Sequence, residues 1–192
     1  MPPATDLEDQ QLLKALAAGD RSAFERLLDR HEAAVMRLLR ALLPEEAAED
    51  GFQETFLSVF RNAGGFQGRS SVRTWILSIA RNAAWRHYRR RSGEPRDLLS
   101  LEELGLAAGW GGADDPAAAL ERQERRRLLE KALEALPPPD RELIVLRELE
   151  QVPVREIAAM LDIGVGATKS RLHRARLRLL QSLRGGGAGH GA

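Results

Sequence analysis

The sequence predicts an all-α fold: two small helical domains joined by a flexible linker, the C-terminal one a helix-turn-helix. Three observations predict it. Apolar residues recur at i, i+3 and i+4 almost everywhere, and strand-type alternation is almost absent. That rhythm fails from Ser92 to about Ala118, where Gly, Pro, Asp and Ser are frequent, as in GWGGADDP. Beyond it come a short helical pattern, a turn at Asp162-Ile163-Gly164 and a longer helical pattern. The expected division is a domain over 1–92, a linker over 93–119, a domain over 120–184 and a disordered tail over 185–192.

Each element has its own signal. Ser22-Ala23-Phe24-Glu25 reads as a capping box opening a helix. Phe24, Leu27, Leu28, His31, Val35, Leu38, Leu39 and Leu42 follow a helical stripe up to Pro44. Pro44 ends that helix and starts the next, which carries Glu45, Glu46, Glu49 and Asp50 first and an apolar face of Phe52, Phe56, Val59 and Phe60 after them. Gly64-Gly65 breaks it, Phe66–Arg69 forms a loop, and Ser70 or Ser71 caps a long helix through Arg91. The linker is expected to hold one short helix near Leu98–Leu104 and leaves Trp110 without a role. Helical spacing resumes near Leu120 and stops at Pro137-Pro138-Pro139, and Asp140 is expected to cap a helix through Leu149. Helices over about Val154–Leu161 and Val165–Leu183 follow.

Charge is the most informative feature. The formal net charge is +1, yet two stretches lack Asp and Glu entirely. Thr55–Gly93 carries eight arginines, and Ile163 to the end carries Lys169, Arg171, Arg174, Arg176, Arg178 and Arg184. Two cationic surfaces on a near-neutral chain point to a polyanion touched at two places, against the plainer alternative of two solvated helix faces. The absence of cysteine excludes disulfides, zinc fingers and thiol chemistry. The acidic N-terminus does not read as a signal peptide. No apolar run approaches the ~18 residues needed to span a bilayer. A cytoplasmic protein with no membrane insertion is expected.

In the C-terminal helix pair, Ile157, Ala158 and Leu161 point inward from the first helix, and Thr168, Leu172, Ala175, Leu179 and Leu183 from the second. Arg171, Arg174 and Arg178 fall on another face, with Lys169 and Ser170 near the helix start. A major groove admits one helix, and residues near its N-terminal end reach base edges. Spacing alone leaves a plain amphipathic pair equally open.

The segment PPPDRELIVLRELEQVPVREIAAMLDIGVGATKSRLHRARLRLL resembles the promoter-reading C-terminal domain of bacterial sigma factors of the sigma-70 family, extracytoplasmic-function (ECF) subgroup. KSRLHRAR, Lys169 to Arg176, is especially typical. Pro153 stands where the family often has a Ser or Thr cap, Asp162 at the usual turn Gly, and Thr168 at a position usually Val or Ile. Asp tolerates the left-handed conformation such a turn needs. The resemblance implies −35 DNA binding by Thr168, Lys169, Ser170, Arg171, Arg174 and Arg178.

AEDGFQETFLSVFRN, Ala48 to Asn62, resembles the family's helix for binding core RNA polymerase. The resemblance implies that Asp50, Gln53, Glu54 and Leu57 contact the clamp of the largest polymerase subunit. Gly51 departs from a common branched apolar residue and should cost ~1 kcal/mol of helix propensity. GGFQGRSSVRTWILSIARNAAWRHYRRR resembles the region that opens DNA at the −10 element. It implies −10 DNA binding by Arg69, Ser70, Ser71, Trp75, Arg81, Asn82, Trp85, Arg86 and Arg89. Melted bases are held by aromatic stacking and a cationic groove, and flipped bases by a polar pocket, for which the Phe66–Ser71 loop is the candidate. Arg81, Trp85 and Arg89 recur at i+4, and Val72, Ile76, Ile79, Ala80 and Ala83 form the inward stripe. For Trp75, core packing and a place at the duplex edge are both open.

Both modules stand in the family's order, joined by a linker and lacking the extra promoter domain of larger sigma factors. The implied partners are bacterial core RNA polymerase, promoter DNA (duplex at −35, single-stranded at −10) and an anti-sigma factor. An enzyme is disfavoured: His31, His87, His173 and His190 lie in no ligand motif, and no phosphate-binding loop is present. No cofactor or metal is expected. The competing reading is a dimeric helix-turn-helix regulator acting without core polymerase, which leaves the first basic block without a role.

Overall fold

A computed structural model describes residues 4–90 and 127–187, and all regular secondary structure among them is helical. The expected linker, its short helix near Leu98–Leu104, Trp110 and the resumption near Leu120 lie outside the described residues. Contacts divide the chain into two compact units, Met1–Arg96 and Asp97–Ala192.

The first unit is built from α1 (Ala4–Ala17), α2 (Arg21–Leu42), α3 (Glu45–Asn62) and α4 (Val72–Arg90). Helix α2 packs on the other three, because its apolar stripe is broad and nearly unbroken. Leu27, Val35, Leu38 and Leu39 on it are fully buried. The cap of α2 differs from the expected box. Asp20 Oδ1 accepts from the Ser22 amide at 2.9 Å and from the Ser22 hydroxyl at 2.8 Å, so the helix starts one residue before Ser22. Gly19, at φ +99°, makes the left-handed reversal that ends α1.

Pro44 precedes α3 as expected, and its carbonyl accepts from Ala48 at 2.8 Å. Gly51 has a packing reason. A Cβ there would lie 3.1 Å from Leu39 Cδ2 and 3.6 Å from Leu43 Cδ1, so the missing side chain lets α3 approach α2 closely. A short 3-10 turn, Ala63–Gly65, follows α3 at the expected break. Of the two candidate serines, Ser71 caps α4: its Oγ accepts from the Thr74 amide at 3.1 Å. On α4, Val72, Ile76, Ala80 and Ala83 are buried as expected. Ile79 is half-buried instead, while Leu77 and Ala84 are buried, because α2 and α3 cover two adjoining sides of α4.

In the second unit, helical residues 127–134 (α5) lead to α6 (Pro138–Ile144), which widens into a π turn at Val145–Leu149. Helix α6 begins at Pro138, not beyond Asp140, since proline's fixed φ and missing N–H suit a first turn. Helices α7 (Val154–Met160) and α8 (Val165–Gly187) form the helix-turn-helix. Asp162, at φ 53°, adopts the left-handed turn conformation. Pro153 offers α7 no side-chain cap; its carbonyl accepts from Ile157 at 3.0 Å. Ile157, Ala158, Leu172 and Ala175 are buried between the two helices, while Leu161 is only half-buried. Helix α8 reaches Gly187, three residues into the expected tail; residues 188–192 lie outside the description.

Candidate nucleic-acid interface

On α3, residues 50, 53, 54 and 57 share one face by their spacing of three and four. Asp50 and Gln53 are exposed, Leu57 is 53% exposed, and Phe60 one turn further is 45% exposed. Two large apolar side chains left in water beside acidic and amide groups make a ridge suited to a protein partner. Phe24 supports that ridge from α2, meeting Phe60 edge-on at 5.5 Å between ring centroids. Glu54 is not a free ridge acid. Its Oε1 accepts from Arg86 Nη2 at 2.7 Å, and its Oε2 lies 3.3 Å from His87 Nε2. A residue expected to meet polymerase and one expected to meet DNA therefore hold each other.

The loop 66–71 and the outer side of α4 form the second part. Arg69 is exposed at the loop tip beside Gly68, whose φ is +67°. The Ser71 hydroxyl is engaged locally: it accepts from the Thr74 amide at 3.1 Å and donates to Thr74 Oγ1 at 3.0 Å. The Ser70 hydroxyl donates to the Ser71 carbonyl at 3.1 Å. Trp75 stands half-buried between the two readings left open for it, meeting Phe66 of the loop at 5.5 Å in an edge-on contact. Asn82 and Arg89 are exposed, and Arg81 and Trp85 are half-buried. Trp85 packs against Tyr88 with ring centroids 5.0 Å apart. The arrangement interleaves cations and aromatics along one helix, with a polar loop at its N-terminal end.

Two buried carboxylates of α1 that sequence patterning did not single out tie that helix to its neighbours, Asp6 to the start of α4 and Asp9 to α2. Asp6, 7% exposed, accepts from the Val72 amide at 2.9 Å and from Gln10 Nε2 at 2.9 Å. Asp9, 2% exposed, meets Arg30 Nε at 2.7 Å and His31 Nε2 at 2.9 Å, which places His31 in the core. Sequence offers no signal for Asp6, since its partner lies 66 residues away.

On α8, Lys169, Ser170, Arg171 and Arg174 are exposed. Thr168 is not: it is fully buried, and its hydroxyl donates to the Gly164 carbonyl at 3.1 Å, just before the first turn of α8. Arg178 is turned to α6, where it pairs with Asp140. Arg176 likewise donates to Glu148 Oε1 from Nη2 at 2.6 Å and Nε at 2.9 Å. The cationic helix thus divides into an outward start and a middle tied to α6. Arg141, 4% exposed and also unforeseen, donates to the carbonyls of Leu133 at 2.9 Å, Glu134 at 2.7 Å and Leu136 at 3.1 Å, closing the C-terminal end of α5. Among the described residues no group of His, Asp and Glu is placed to hold a metal ion.

Known proteins share both parts. Residues 27–94 match Sigma-70 region 2, and residues 126–179 match Sigma-70, region 4. The ECF RNA polymerase sigma-E factor of Escherichia coli (strain K12) is 32% identical over 88% of this chain and 91% of its own length. The chain belongs to the sigma-70 family, in its ECF subgroup. The RNA polymerase sigma-H factor of Pseudomonas aeruginosa is 31% identical to this sigma factor, over 90% of this chain and 92% of the other. Among solved structures, CnrH in complex with the cytosolic domain of CnrY superposes with a TM-score of 0.65 at 27% identity, covering 93% of this sigma factor and 98% of that chain. The sigma factor RpoE from Bartonella quintana, solved with the anti-sigma factor NepR, shares the fold with a TM-score of 0.63 at 24% identity. The sigma factor therefore acts with RNA polymerase in transcription initiation, in a non-enzymatic, DNA-binding class of regulators. No helix among the described residues is long and apolar enough to cross a membrane.

Proposed function

We propose that this sigma factor docks core polymerase on the α3 ridge, reads duplex −35 DNA with the start of α8, and captures melted −10 bases on α4 and the 66–71 loop. The observation that carries the reading is the placement of charge. Lys169, Arg171 and Arg174 stand exposed at the start of a helix whose opposite face is buried, and Arg69, Asn82 and Arg89 stand exposed beside half-buried Trp75 and Trp85. Arg171 is assigned to a guanine edge, where a bidentate contact discriminates by ~1–3 kcal/mol, and Lys169 and Arg174 to phosphates. Stacking of a melted base on Trp85 contributes ~1–3 kcal/mol. Asp50, Gln53 and Leu57 form the polymerase contact, with Glu54 acting together with Arg86. Thr168 and Ser71 are left out of the DNA contacts, and no covalent step is performed: strand opening is driven by binding energy.

CnrH was solved with a protein partner, which supports a regulatory protein partner here as well; an anti-sigma factor is the class expected. A cytoplasmic site of action follows from that role. Run-off transcription with purified bacterial core polymerase on a genomic promoter library tests the reading. Discrete start sites that appear only with the protein are expected. Tight duplex binding by the protein alone, with no initiation, would overturn it.

A further inference from the structure

Helix α1 touches the candidate base-capturing loop at both of its ends. Before the loop it packs against the Ala63–Gly65 turn, where a Cβ on Gly64 would lie 3.9 Å from Ala17 Cβ. After the loop it sends Asp6 to the first residue of α4. Asp6 Oδ1 accepts from the Val72 amide at 2.9 Å, and Gln10 Nε2 donates to Oδ2 at 2.9 Å and orients the carboxylate. Val72 is fully buried and Asp6 is 7% exposed, so water cannot replace this acceptor. The Ser71 hydroxyl already serves the Thr74 amide. The N-terminal end of α4 therefore has two caps, a local one from Ser71 and a distant one from α1. A carboxylate also suits the positive end of the α4 dipole.

Every residue assigned to melted DNA lies in the loop ending at Ser71 or on the helix starting at Val72. We propose that Asp6 is a positioning residue for promoter opening. Through the Val72 amide it fixes where α4 begins, and hence the path of the 66–71 loop that receives an unpaired base. The proposal rests on the −10 role given above.

The test uses the full chain with bacterial core polymerase on a promoter found in the run-off experiment, with a fluorescent base analogue in the −10 element reporting strand opening. Asp6→Ala, Asp6→Asn and Asp9→Ala are compared; Asp9 lies on the same helix but holds Arg30 and His31, not α4. Asp6→Ala is expected to slow opening roughly tenfold with unchanged core affinity, because a buried donor loses its acceptor. Asp6→Asn keeps an acceptor oxygen and loses roughly two- to threefold. Asp9→Ala opens at the wild-type rate. Exchange of the Val72 amide with solvent accelerates in the Asp6 variants alone. Should Asp6→Ala fail to fold, Asp6→Asn decides: slowed opening with faster Val72 exchange sustains the proposal, and wild-type values in both overturn it. Opening slowed equally by Asp9→Ala also overturns it, since general loss of stability would then suffice. If the wild-type protein opens no promoter, the −10 role itself falls and this proposal with it; wild-type opening by a folded Asp6→Ala removes only the positioning role.

Discussion

Arg86 donates two hydrogen bonds to one oxygen of Glu54, from Nη2 at 2.7 Å and from Nε at 3.2 Å, and so joins α3 to α4. The pair links the helix assigned to polymerase with the helix assigned to melted DNA. Both side chains are about two-fifths exposed, at 42% and 40%, so the pair contributes only ~0–1 kcal/mol to stability. Its consequence is geometric: it sets where the Glu54 carboxylate lies beside Leu57.

Glu54→Lys is expected to weaken core-polymerase binding by roughly tenfold or more, since it reverses a charge within the ridge and sets it against Arg86. Helicity by circular dichroism should be unchanged. Arg86→Glu in the Glu54→Lys background restores the pair with its sign exchanged. If that double variant regains full polymerase affinity, Glu54 acts only by holding α4; if the loss persists, Glu54 itself meets polymerase.

On α8, Arg171→Ala is expected to lower discrimination at one base pair by ~1–3 kcal/mol. Arg174→Ala should weaken all promoter sequences alike and reduce the salt slope by ~1. Arg178→Ala should change the slope by less, because its guanidinium already pairs with Asp140. Binding isotherms of the holoenzyme across a salt series measure all three. A full unit of slope lost with Arg178→Ala would show that the arginine leaves Asp140 for a phosphate.

Gly51→Val is expected to destabilise the first unit by ~1–3 kcal/mol, read from denaturant unfolding. The added methyls meet Leu39 and Leu43, whose Cδ atoms already stand 3.1–3.6 Å from a hypothetical Cβ. Trimming Leu39 to Ala in the Gly51→Val background should recover part of the loss. A stabilised Gly51→Val would mean that helix propensity outweighs crowding here.

The Asp20 carboxyl is held below the ordinary carboxylate range, first by the Ser22 hydroxyl and then by the Ser22 amide. A lowered folded-state pKa means that the unfolded chain takes up the proton more readily. The contribution of Asp20 to stability is therefore fully present above the ordinary value of ~3.9 and lost as pH falls through the lower folded value. Asp20→Asn keeps a cap but cannot titrate. Its unfolding midpoint should show a shallower decline over that acid range than the wild type, and parallel declines would remove Asp20 from the acid response.

Much of the fold was legible because its signals are local. The stripe of α2, the break at Gly64-Gly65, the Ser71 cap and the Asp162 turn each depend on residues within a few positions of one another, where φ preferences and i, i+4 spacing act directly. Element starts were less legible where several capping residues crowd together, as at Asp20 and Ser22, or where proline begins a helix, as at Pro138. Thr168 and Ser71 carried a family resemblance and a suitable hydroxyl, yet both hydroxyls are engaged by nearby backbone or side-chain groups.

By itself the sequence determined the helical class, the two basic blocks and the family, because periodicity, charge runs and motifs are properties of residues in order. Only the tertiary structure decided which of those charges face outward. Arg86 against Glu54, Arg178 against Asp140, Arg176 against Glu148, Arg141 against the end of α5 and Asp6 against Val72 pair groups on different elements. A side chain near an opposite charge or an unpaired backbone group will meet it when packing brings the two within about 3 Å. That proximity is set by how the helices pack, and no spacing along the chain encodes it.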